Sequence, residues 1–149
     1  MGYKFGERSK NNLKNVHPDL VKVLEAAIED SPCDFTVVEG LRTKTRQKEL
    51  YAQGRTKPGI KVTNLDGEKK LSNHQDEADG KKDNLGSAVD IYPFFLGQVQ
   101  VHHKDVVKKL TEIAKHIKEK AKKLKIDITW GGDWKNPYDP PHFELKRKK

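Results

Sequence analysis

The chain has 149 residues, enough to close one modest hydrophobic core without metal or disulfide staples. Hydrophobic residues make up 34% and charged residues 35%, which predicts a small core under a densely ionic surface, and no apolar run reaches membrane-spanning length. The single cysteine, Cys33, excludes an intramolecular disulfide, and the formal net charge of +8 predicts attraction to polyanions such as nucleic acids, anionic lipids and acidic envelope polymers.

In chain order, Met1–Lys10 is polar and lacks the apolar core and small-residue cleavage site of a signal peptide, so no export signal is predicted. From Pro18, a residue type suited to a first helical turn, Leu20, Val23, Leu24, Ala27 and Ile28 recur at helical spacing and predict the first helix. Asp34–Glu39 carries Phe35, Thr36, Val37 and Val38 between Pro32 and Gly40 and reads as a short buried strand. A polar helix follows from about Thr43 to Gln53 and stops at Gly54. Arg55–Gly86 is rich in glycine and charge, has no sustained periodicity, and reads as a long loop.

Ala88–Tyr92 reads as a strand ended by Pro93. Asp105–Leu124 follows as an amphipathic helix with Val106, Val107, Leu110, Ile113, Ala114, Ile117 and Leu124 on its apolar face. Ile126–Trp130 is the next predicted strand, Gly131–Pro141 a turn-rich loop and His142–Leu145 a short last strand. The pattern is α+β: a small antiparallel sheet packed against helices, one domain over 1–149, with long loops carrying the polar residues of interest. The lysines gather in Lys104–Lys125 and Lys146–Lys149 with no aromatic residues between them to stack bases, so a solvated basic face is expected rather than a specific nucleic-acid site.

Of the six histidines, His17 precedes a helix, and His102, His103 and His116 lie in or beside the lysine-rich helix, where solvated side chains are expected. His74 and His142 stand apart. His74 lies in Ser72-Asn73-His74, ahead of Gly86-Ser87-Ala88-Val89-Asp90. A carboxylate on a strand as apolar as Asp90-Ile91-Tyr92 needs a partner or a metal. In Asp139-Pro140-Pro141-His142 two prolines stiffen the backbone between a carboxylate and an imidazole. A hydrolytic zinc site needs three protein ligands from such residues and an open position for water. Taken singly, Asp90 reads equally well as the cap of a turn, and Asp139-Pro140-Pro141-His142 reads more readily as an ordinary loop than as part of a site.

The three segments together, in this order, resemble the family of zinc peptidases that includes the VanX and VanY dipeptidases and carboxypeptidases and the phage L-alanyl-D-glutamate endopeptidases. The likeness covers most of the chain. Gly40-Leu41-Arg42-Thr43, with Gln47 and Leu50 to Gly54 beyond it, and Trp130-Gly131-Gly132-Asp133-Trp134 are similar to the phage endolysin and spore-former branch. The resemblance implies zinc held by His74, Asp90 and His142, with Asp139 as the base that takes a proton from the attacking water. Arg42 would then steady the oxyanion or a substrate carboxylate, with Gln47 and Ser72 on the substrate side. Glu144 and Asp133 remain alternative bases.

The implied enzyme is a lysin that cuts the L-alanyl to D-glutamate bond of peptidoglycan stem peptides. It would act as a monomer, wait in the host cytoplasm until the inner membrane is opened, and adsorb to anionic envelope polymers. A D,D-carboxypeptidase is the rival within enzymes. A basic nucleic-acid-binding module with a structural zinc is the rival outside them, although structural zinc commonly uses cysteine and only Cys33 is present. One departure from the family pattern is the charged insert Gln75–Leu85 between His74 and Asp90. Its Asp76, Glu77, Asp79 and Asp83 raise the expectation of a regulatory Ca2+ that orders the loop, set against an ordinary solvated loop with Lys81 and Lys82 opposing a cation.

Overall fold

The structure, a computed structural model, describes residues 3–40, 44–53, 55–56, 86–135 and 138–146, and in 44–47 the backbone only. Its elements are helix α1 (Glu7–Leu13), helix α2 (Pro18–Glu29), strand β1 (Phe35–Glu39), helix α3 (Lys44–Ala52), strands β2 (Ala88–Phe95) and β3 (Gln98–Val99), helix α4 (Val106–Leu124), strand β4 (Ile128–Trp130), a 3-10 turn (Gly131–Asp133) and strand β5 (His142–Leu145). The sheet runs β1-β2-β5-β4 with antiparallel neighbours throughout, and β3 pairs with the far end of β2. The expected α+β class is therefore what forms. Among the described residues no helix is long and apolar enough to cross a membrane.

The core lies between one face of the sheet and helices α2 and α4. Leu20, Val23, Leu24 and Ala27 of α2 and Leu110, Ile113, Ala114 and Ile117 of α4 bury their stripes against Val37, Val89, Ile91 and Phe143. Pro18 opens α2, and the His17 ring accepts the Asp19 N–H at 3.1 Å, so this histidine caps the helix. Lys125 ends α4 in the left-handed region at φ 59°.

Two expectations are corrected, and two elements form that the sequence reading did not name. The polar N-terminus contains α1, which no apolar stripe announces. It forms because it docks on the edge strand β1: Ser9 Oγ accepts the Val37 N–H at 3.0 Å, and the Asn12 side-chain amide donates to the Val37 carbonyl at 2.8 Å. Pro93 does not end β2. Its missing N–H falls on the side away from β1, beyond the last β5 partner His142, so the ladder loses nothing there. A further strand, β3, turns back along β2. His116 is not solvated, for its Nε2 lies 3.0 Å from the Ala27 carbonyl and 2.9 Å from Asp30, tying α4 to the end of α2.

Between Val37, opposite Ile91, and Glu39, opposite Asp90, the register of β1 shifts by one residue in a β-bulge. Ser9 and Asn12 satisfy the backbone of Val37 beside this irregularity, so α1 secures the strand next to Asp90. Ser9→Ala would leave the Val37 N–H buried without its partner. It is expected to cost about 1–3 kcal/mol of unfolding free energy, read as a lower urea midpoint at unchanged slope. A wild-type midpoint would show that α1 does not brace the sheet.

Candidate active site

Side chains alternate along a strand, so the burial of Val89, Ile91 and Phe143 in the core turns Asp90, His142 and Glu144 to the opposite face. The pairing of β2 with β5 sets Asp90 directly across from His142 and Ala88 across from Glu144. Asp139 reaches the same place through a tight turn: its carbonyl accepts the His142 N–H at 3.1 Å, with Pro140 and Pro141 at the two central positions. The turn is held from behind. Gly131 accepts the Asp139 N–H at 3.0 Å through its carbonyl, and the Trp130 indole donates to the Pro140 carbonyl at 2.6 Å.

Gly131 has to be glycine, because a Cβ there would lie 2.1 Å from the Asp139 carbonyl oxygen. Trp130 stacks on Phe143 with ring centroids 6.3 Å apart, which links the turn to the core, and Trp134 lies tilted against the His142 ring at 5.1 Å.

The His142 Nδ1 lies 3.3 Å from Asp90 Oδ1 and 3.8 Å from Asp139 Oδ2, while its Nε2 lies 2.7 Å from Glu144 Oε1. The imidazole is thus gripped at both nitrogens. Burial would lower its pKa, but the hydrogen bonds and charges of Asp90 and Glu144 outweigh that and raise it to about 9. Tyr92, two residues along β2 from Asp90, has its phenol pKa raised by burial and then by the charges of Asp90 and Asp139, so it stays protonated.

Asp90, Asp139 and His142 each offer a ligand atom, and these atoms lie within 4.8 Å of one another. Two carboxylate oxygens and an imidazole nitrogen, one of them well buried, suit a divalent transition metal. The partner on the far ring nitrogen is the usual companion of a metal-bound histidine, since it fixes which nitrogen faces the ion.

The structure brings together three residues singled out in the sequence, Asp90, Asp139 and His142. Arg42, Ser72, His74 and the insert Gln75–Leu85 lie outside the described residues, as does the side chain of Gln47. The two alternative bases occupy different positions. Glu144 faces Nε2, on the opposite edge of the ring from Asp90 and Asp139, and Asp133 pairs with Lys118 of α4. Of the remaining described histidines, His17 caps α2 and His103 accepts the Asp105 N–H at 3.0 Å, so neither serves the cluster. Glu144 as the orienting partner of His142 was legible only as an acid two residues further along the same strand. The contact of Trp134 with the ring had no sequence signal beyond its motif.

Comparison with known proteins shows the family. The sequence profile of the family described as phage L-alanyl-D-glutamate peptidase matches residues 1–148. The chain is 30% identical over 147 residues, 99% of its length and 92% of the relative's, to the L-alanyl-D-glutamate peptidase of Escherichia phage T5. It is 35% identical over 138 residues, 88% of its length and 74% of the relative's, to the peptidoglycan L-alanyl-D-glutamate endopeptidase CwlK of Bacillus subtilis (strain 168). The crystal structure of the Serratia marcescens L-Ala D-Glu endopeptidase ChiX matches with a TM-score of 0.71 at 32% identity, covering 95% of this chain and 89% of that one.

A divalent ion bound at Nδ1 would have to displace the proton that His142 holds at neutral pH. With the pKa raised to about 9, the apparent affinity for a divalent probe ion such as Zn2+ should then climb about tenfold per unit from about pH 6 to about pH 8. Competition against a chelator of known pH dependence measures this. The metal-free fold responds in the opposite sense. Because the folded pKa exceeds the unfolded value of 6.5, the stabilisation from this proton is complete below pH 6.5 and is lost as the pH rises through about 9. Affinity flat over that range would show that Nδ1 is not a ligand.

Proposed function

The chain belongs to the phage L-alanyl-D-glutamate peptidase family, and on that premise we propose that it is a zinc-dependent phage endolysin cleaving the L-alanyl to D-glutamate bond of peptidoglycan stem peptides. The observation that carries the reading is the convergence of Asp90, Asp139 and His142 on one point of the sheet. In this reading His142 and Asp90 hold the ion, joined by His74 on the strength of the family motif alone. When bound, zinc supplies Lewis acidity at the scissile carbonyl and lowers the pKa of water.

The chain's own residues divide the remaining work. Glu144 holds the imidazole by Nε2, so that Nδ1 is presented to the ion. The Asp139 side chain is 42% exposed, against 8% for His142, so it borders the open side from which water and substrate arrive. Its carboxylate takes the proton of the attacking water and returns it to the departing amine. Arg42 is assigned to the developing oxyanion or a substrate carboxylate, where a guanidinium's paired donors suit both. Gln47 and Ser72 are assigned to the substrate side. We further assign its action to the wall after the inner membrane is opened, with the +8 charge drawing it to anionic envelope polymers.

Digestion of purified peptidoglycan is expected to yield fragments with new C-terminal L-alanine and new N-terminal D-glutamate, identified by mass spectrometry. Release of D-alanine alone would establish the D,D-carboxypeptidase instead. Asp139→Asn is expected to keep stoichiometric zinc and lose at least about a hundredfold in turnover, since an amide cannot accept the water's proton. Metal analysis showing zinc lost from this variant would make Asp139 a ligand rather than the base.

A further inference from the structure

The ribbon of β2 and β3 ends in Leu96 and Gly97, whose φ angles are 54° and 80°. Two positive φ values in a two-residue loop are the mark of a type I′ turn, where asparagine, aspartate or glycine normally comes first. Leucine there is strained, because the left-handed region brings its Cβ against the following carbonyl. Leu96 is also 77% exposed, the highest value among the exposed large hydrophobic residues described. A Cβ on Gly97 would meet no atom within 4 Å, so the apex stands clear of the described chain.

The ribbon beneath this apex is well held. Gln100 donates its backbone N–H to the Pro93 carbonyl at 2.9 Å and its side-chain amide to the Phe95 carbonyl at 2.8 Å. The Phe95 ring packs edge-on against His103 with centroids 4.9 Å apart, and the Lys109 ammonium lies 5.9 Å above it. Phe94, next to the apex, is 37% exposed. Lys104 lies in the segment that leads from the ribbon into α4, and Lys108 and Lys109 lie in the first turn of that helix. The acids among them are Asp105, 3.8 Å from His103, Glu112 one turn along α4, and Asp34, whose carbonyl accepts the Phe94 N–H at 2.8 Å.

We propose that this hairpin docks on an anionic phospholipid bilayer, with Leu96 and Phe94 entering the interfacial layer and the lysines facing the lipid headgroups. A convex apolar apex suits a fluid phase that closes around it, and a basic flank selects an anionic surface. A ribbon already rigid loses little conformational freedom on insertion. The docking is separate from the peptidase reading, and its test reads binding rather than hydrolysis.

The test is co-sedimentation of the full chain with vesicles of phosphatidylcholine alone and of phosphatidylcholine mixed with phosphatidylglycerol, at low salt. Wild type is expected to bind the mixed vesicles and not the neutral ones. Leu96→Asn supplies the residue that this turn prefers, so it should fold and melt no lower than wild type, while binding the anionic vesicles about tenfold more weakly. Lys104→Gln with Lys108→Gln should weaken the same binding and leave the melting temperature in place. Absence of wild-type binding to the mixed vesicles overturns the proposal. So does wild-type affinity in Leu96→Asn, which would assign adsorption to the basic surface at large. Self-association that Leu96→Asn abolishes, without vesicle binding, would make a second copy the occupant.

Discussion

When β2 pairs with β5, Val89 and Phe143 enter the core together, and Asp90 and His142 are thereby left facing each other on the other side of the sheet. A slip of one residue would exchange the two sets, driving a carboxylate and an imidazole inward and two large apolar side chains out. Register is therefore set by apolar burial that has no chemistry of its own. The α2 and α4 stripes, the stack of Trp130 on Phe143 and the α1 brace on β1 all hold that one pairing in place. The polar cluster is the far side of a hydrophobic decision.

Such a cluster is expensive. Around His142 stand Asp90, Asp139 and Glu144, three carboxylates against one imidazolium, with the ring almost wholly buried. Apolar residues of similar volume would hold this corner of the sheet at least as well, because buried ion pairs seldom repay their desolvation. In the proposed peptidase the arrangement is a holding state, in which the proton on His142 occupies a place that a divalent ion would take with greater charge. Rigidity follows from the same need. Gly131 and the turn from Asp139 to His142 are tied by backbone hydrogen bonds, two prolines and a glycine that no other residue could replace, so the backbone of Asp139 is placed by the chain itself.

The sequence made most of this legible, for identifiable reasons. Helices α2 and α4 announce themselves because their partners are the core, and amphipathic spacing records burial directly. Helix α1 was invisible because its attachment is polar: Ser9 and Asn12 bond to one residue of β1, a relation that no periodicity encodes. Pro93 misled because a proline is tolerated or forbidden according to which side of the strand has a neighbour, and pairing order is a tertiary fact. Asp90, Asp139 and His142 were legible as a set only through the order of three motifs. What distinguishes Glu144 from Asp139, namely which ring nitrogen each one faces, depends on the twist and register of paired strands. His116 looked solvated because its neighbours in sequence are lysines, whereas its partners Ala27 and Asp30 lie on another helix.

Two placements break local rules, and they differ in where the compensation lies. The charge on His142 is answered inside the fold by carboxylates at both ring nitrogens, so its local cost is explained by the site it builds. Leu96 meets no such answer among the described residues. Its strained backbone and exposed side chain are both unfavourable in water, and asparagine would relieve the two together. The ribbon below it is meanwhile braced by Gln100 and packed against His103, so the strain is held in place and does not relax into a looser turn. A fold that uses hydrogen bonds to hold an unfavourable residue at an exposed apex finds the compensation outside itself, in the surface proposed to meet that apex.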